Sequence, residues 1–240
     1  MDIITTAAGW EFLIRWLHFL AGVAWIGLLW YFNFVQTPFF GSELGGGAKG
    51  AMTRGLVPNA LWWFRWGAMF TFLSGWLLLA MKWGTGTPLG SGYMTRILTG
   101  GLMGTLMWAN VWFLIWPAQK IVIANAEKVA AGGEANPAAA GAGGRAGMAS
   151  RTNTLFSIPM LFFMAAASHL TSLAKGADVG LHVLTYWTAA IVIIGLVELN
   201  GLIGPGAATQ KPLTSVSGTI HAGLALTAVL LLAMVFLIGV

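Results

Sequence analysis

The chain is 240 residues long, 58% of them hydrophobic and only 8% charged, with a mean hydropathy of +0.79. Its formal net charge of +5 is dispersed over several loops with no clustered basic patch, which argues against a nucleic-acid partner. There is no cysteine, which excludes a disulfide framework, a thiolate metal site and a covalently attached c-type haem in these residues.

Apolar stretches of about 20 residues cross the hydrocarbon layer, and in lipid each must satisfy its own backbone as a helix. Six such stretches are expected in chain order: Trp10–Phe34, Ala60–Lys82, Arg96–Trp116, Thr152–Leu170, Leu181–Leu199 and Thr214–Ile238. The prediction is an all-α integral membrane protein, a bundle of about six transmembrane helices in contact with membrane lipid. The first stretch is expected to remain as an anchor, because Asp2 precedes it where a signal peptide has basic residues. Trp10, Trp16, Trp62, Trp63 and Trp66 stand near stretch ends, as interfacial anchors do. The run Gly100-Gly101-Leu102-Met103-Gly104 has the small-residue spacing of close helix packing.

Residues 1–240 read as one helical domain of two three-helix halves, joined by an Ala/Gly-rich linker at 129–149 that contains Pro137. This linker is expected to be a flexible connector that tolerates shortening, and Ala118–Ala130 could prolong the third helix. Lys49, Arg54, Lys120, Lys128, Arg145, Arg151 and Lys211 all fall in the loops of one side. That side is expected to be cytoplasmic and both termini periplasmic.

Ionisable groups inside the membrane are expensive and mark function. Glu11, Arg15, His18, Gly22 and Trp25 share one face of the first helix. Glu11 and Arg15 can pair at i,i+4. Alternatively, Arg15 can hold a propionate of a haem b whose iron takes His18, with Gly22 leaving room for the macrocycle. His169 closes the fourth stretch and His182 opens the fifth, on the same side as His18, so these histidines are candidate iron or metal ligands. The competing reading of His18 is a core histidine bonded to a neighbouring helix. His221 and Glu198 are expected to form a second polar pair. The Trp108, Trp112 and Trp116 stripe reads as packing surface, and Met103, Met107, Met160 and Met164 as gap fillers. No phosphate loop, HExxH helix or Ser-His-Asp arrangement is present.

Three motifs carry a resemblance. Arg15-Trp16-Leu17-His18 with Ala24-Trp25-Ile26-Gly27 and Tyr31-Phe32-Asn33-Phe34-Val35-Gln36 resembles the opening helix of the membrane urate oxidase N-terminal family. Asn110-Val111-Trp112-Phe113-Leu114-Ile115-Trp116-Pro117 resembles its third helix, and Ser150 to Met164, ending at His169, its fourth. The first motif is also similar, more distantly, to membrane protoporphyrinogen oxidases and copper-resistance proteins. The resemblance implies a bacterial inner-membrane oxidoreductase that passes electrons from urate to a cytochrome c. Full-length members carry a C-terminal cytochrome c domain, which is expected to be lacking here, so that either a separate cytochrome c or a larger membrane complex is the expected partner. A non-catalytic accessory subunit of a larger respiratory or photosynthetic complex is the alternative reading.

Overall fold

The computed structural model describes residues 3–170, 181–203 and 205–238. It is helical throughout, with no strand among the described residues. We number six rods: α1 (Ala7–Phe40), α2 (Glu43–Gly84), α3 (Gly92–Ala130), α4 (Ala138–His169), α5 (Leu181–Leu202) and α6 (Val216–Ile238). Serine and threonine hydroxyls start the first three: Thr6, Ser42 and Ser91 accept from the amides of Gly9, Gly45 and Met94 at 3.1–3.2 Å. A short 3-10 turn at Ala208–Thr214 joins α5 to α6. There the buried Gln210 carboxamide accepts from Gly206 and Ala207 amides and donates to Asn200 carbonyl at 2.6 Å.

Consecutive rods run antiparallel, as their contacts show. Glu11 of α1 meets Lys82 of α2, and deeper along both helices His18 meets Ser74. Phe72 of α2 stacks on Trp108 of α3 at 4.1 Å, while Arg65 lies over the Trp116 ring at 3.8 Å. On α3 and α4, Gly100 packs on Met160 and Met164, Asn110 on Asn153, and Val122 on Gly143. The second number rises as the first falls, so α4 lies beside α3 along most of its length.

Five rods, α1, α2, α3, α5 and α6, are long and apolar enough to cross a membrane. The fourth expected span, in α4, is less apolar because its middle carries Thr152, Asn153, Thr154 and Ser157, none more than 1% exposed. The antiparallel register against α3 nevertheless carries α4 through the same layer. Its polar side is covered by α3, α5, α6 and α1, so no hydroxyl or amide there meets lipid.

Two expectations change. The segment 35–59 is helical for most of its length, since α2 begins at Glu43 and runs 42 residues, about 63 Å. That is twice the hydrocarbon thickness of about 30 Å. The expected linker 129–149 is likewise helix from Ala138 onward, and only residues 131–137 form the turn. Its alanines are strong helix formers, and Ala142 and Ala146 bury themselves against Ala118 of α3. The extension of the third helix through Ala118–Ala130 is present. The two expected halves are therefore joined by a packed helical hairpin, and each residue deleted from it would turn the packing face of α4 by about 100°.

Close approach makes a testable contrast. A Cβ at Gly223 of α6 would lie 2.6 Å from Ile158 Cδ1 and 2.9 Å from the Leu155 carbonyl oxygen, whereas one at Gly27 meets nothing within 4 Å. Gly223→Ala should destabilise the protein by about 1–3 kcal/mol, and Gly27→Ala should not. Thermal melting in detergent compares them, and equal melting temperatures would show that α6 does not seat on α4 as described.

Candidate functional site

His18 faces α2, with Nδ1 3.1 Å from Ser74 Oγ. Ser74 Oγ already donates to the Phe70 carbonyl at 2.6 Å, so it accepts from the imidazole. With that bond Nδ1 carries the proton and Nε2 is the acceptor nitrogen. Below the ring lies Gly75, where a Cβ would stand 3.0 Å from His18 Cε1. One turn along, a Cβ at Gly22 would rest in ordinary van der Waals contact with Thr71, at 4.0 Å. Arg15 is paired with Glu11 one turn away, and Glu11 is also bound by Lys82 Nζ at 3.0 Å. This three-membered cluster neutralises the carboxylate at the end of the α1–α2 pair, and among the described residues it gives Arg15 its counter-ion.

His169 ends α4 and His182 lies in the first turn of α5, both exposed. The Trp30 Nε1 to Ser157 Oγ bond, 2.8 Å, sets the register of α1 on α4. His18 precedes Trp30 by as many residues as His169 follows Ser157, so the two lie at one level. The structure thus places His18, His169 and His182 at one end of the bundle but does not draw them to one point. Among the described residues no three His, Cys, Asp or Glu side chains are grouped to hold a metal. The connection 171–180 lies outside the described residues.

The expected His221–Glu198 pair gives way to other partners. His221 is exposed and its Nδ1 lies 2.7 Å from the Ser217 carbonyl one turn back on its own helix. Glu198 Oε2 accepts from Asn110 Nδ2 at 3.2 Å, because α5 runs parallel to α3 and brings the carboxyl to that level. The same Asn110 amide donates to Asn153 Oδ1 at 2.9 Å, and Asn153 Nδ2 donates to the Met107 carbonyl at 2.9 Å. A chain of amides therefore links α3, α4 and α5 inside the membrane.

Neither asparagine was singled out in the sequence, although Asn110 opens the third-helix motif and Asn153 lies in the fourth. The usable signal is the pair of π-helical segments, Tyr31–Gln36 and Asn110–Ile115, each holding one buried asparagine. A widened turn leaves a carbonyl short of its helical donor. Asn33 supplies one to Leu29 and also donates to Ser150 of α4 at 2.8 Å, as Asn153 supplies Met107. Both π segments thus fix α4 through an asparagine.

Removing Asn153 takes one of two donors from the Met107 carbonyl and leaves one Asn110 side-chain donor without its partner. Asn153→Ala should cost about 1–3 kcal/mol, and Glu198→Gln less, since the carboxamide oxygen still accepts from Asn110. Unfolding in mixed micelles measures both, and an Asn153→Ala protein as stable as the parent would refute a structural role for this chain of amides.

Comparison with known proteins gives one match. The profile of the urate oxidase N-terminal family fits residues 83–198, which contain Asn110, Asn153, His169, His182 and Glu198 but not the first-helix motif with Arg15 and His18. No curated protein and no solved structure matches the chain. Over Trp83 to Glu198 this multi-pass membrane protein is similar to the urate oxidase N-terminal family.

Proposed function

We propose that this protein is the membrane module of a urate-oxidising system, holding a haem b through His18 and delivering electrons to a cytochrome c. The family match over residues 83–198 carries the reading of the reaction. Support for the cofactor comes from the surroundings of His18, where Ser74 holds Nδ1 and Gly75 lets the ring seat closely against α2. A ligating histidine is ordinarily steadied in this way through its second nitrogen. The residues therefore fit one axial ligand, and His169, at the same level, is the partner we assign, with His182 next.

A bound haem would supply a one-electron relay, which urate oxidation needs because it releases two electrons and a cytochrome c accepts one at a time. The protein's own residues do the rest. Ser74 holds the imidazole, Gly75 lets it seat against α2, and the Arg15–Glu11–Lys82 cluster locks α1 on α2 beside it. Basic residues gather at the other end of the bundle, on the extensions of α2, α3 and α4, which favours that end as cytoplasmic in the inner membrane. The histidine end then faces the periplasm, where a cytochrome c can dock.

An absorption spectrum of the purified protein tests the reading. A Soret band that shifts on reduction with dithionite, and with urate in the absence of oxygen, is the expected result. His18→Ala should remove it and Gly75→Leu should reduce it severalfold, each with protein yield unchanged. A colourless parent protein, or full haem retention without His18, would overturn the assignment.

A further inference from the structure

Arg96, in the second turn of α3, is 3% exposed, yet its Nε and Nη1 have no hydrogen-bond partner. The other basic groups inside the histidine end of the described bundle have an anion beside them, since Arg15 and Lys82 share Glu11. A buried guanidinium with no anion is among the costliest groups a fold can retain. Its neighbours on α3 are polar and equally buried: Thr95 at 1% and Thr99 at 0%. One turn deeper, Thr99 Oγ1 lies 2.8 Å from the hydroxyl of Tyr186, which α5 brings across at 0% exposure. An unpaired cation therefore stands one turn along α3 from a hydroxyl pair that joins two helices, at the end where His18, His169 and His182 stand, within the family-matched residues.

We infer that Arg96 is the recognition residue of a buried site for a small planar oxyanion, gripped by the guanidinium fork. Guanidinium presents parallel N–H donors that match two adjacent acceptors of a planar anion. Resting on the function proposed above, the anion is urate, which is planar and singly charged at neutral pH. A planar carboxylate offers the same chemistry from another source. The site also explains why the fold tolerates an unpaired charge: the ligand completes it.

The test uses the full chain in lipid nanodiscs, titrated separately with urate and with benzoate. The expected result is urate binding that Arg96→Gln weakens by about tenfold or more, with Arg96→Lys between, because lysine keeps the charge but not the fork. Arg96→Met should also melt no lower than the parent when no ligand is present, since removing an uncompensated buried charge relieves its desolvation. Urate binding equally strong in Arg96→Gln would overturn the role of Arg96 and leave the urate reading standing. Arg96-dependent binding of benzoate alone would uphold the anion site and overturn urate as its ligand. No binding of either anion, or an Arg96→Met protein melting several degrees lower without ligand, would overturn the site by showing that Arg96 is structural.

Discussion

The polar side of α4 is the constraint that the rest of the bundle answers. Lipid offers no partner to a hydroxyl or an amide, so Thr152, Asn153, Thr154 and Ser157 can cross the membrane only inside a sheath of other helices. That sheath is α3, α5, α6 and α1, and each touches α4 through a specific device. Gly223 and Gly201 let α6 and α5 approach closely, Asn110 and Asn153 bond α3, and Asn33 with Trp30 bonds α1. Without apolar sorting between helices in lipid, such close contacts and hydrogen bonds are what hold a membrane bundle together.

The two ends of the bundle then differ in kind. At the basic end α2, α3 and α4 run on beyond the hydrocarbon layer as packed helices, sealed by small residues such as Ala118, Ala142 and Ala146. At the other end the helices finish near the membrane surface, and there His18, His169, His182, the Glu11 cluster and the unpaired Arg96 are found. Structure accumulates at one end and chemistry at the other. An electron-transfer module has use for this asymmetry, because its exit must be near one surface while its anchoring can be anywhere.

All six helices were legible in the sequence, and five of them are apolar enough to cross a membrane, because apolar runs of that length have one solution in lipid. Helical continuation beyond them was not. Residues 43–59 hold five glycines and read as a loop, yet a helix already nucleated in the membrane extends at little cost and Ser42 caps it. The alanine and glycine tract after Pro137 has the composition of a linker and also of a close-packed helix, and only its antiparallel partner distinguishes the two. Side-chain pairing was least legible. Depth along a helix predicts which residues share a level, which is how Glu198 and His221 were matched, but not which neighbours stand side by side. The parallel run of α5 beside α3 gives Glu198 to Asn110 instead.

Everything above depends on α4 crossing the membrane despite its polarity. Single cysteines at Ala135 and Ser168, at its two ends, and at Thr85 between α2 and α3, can be probed with a membrane-impermeant maleimide, since the native chain has none. Labelling of Ser168→Cys and Thr85→Cys from one side, and of Ala135→Cys only from the other, is the predicted outcome. Ala135→Cys and Ser168→Cys reacting from the same side would contradict the account, because α4 would then lie outside the membrane and leave its sheath without a purpose.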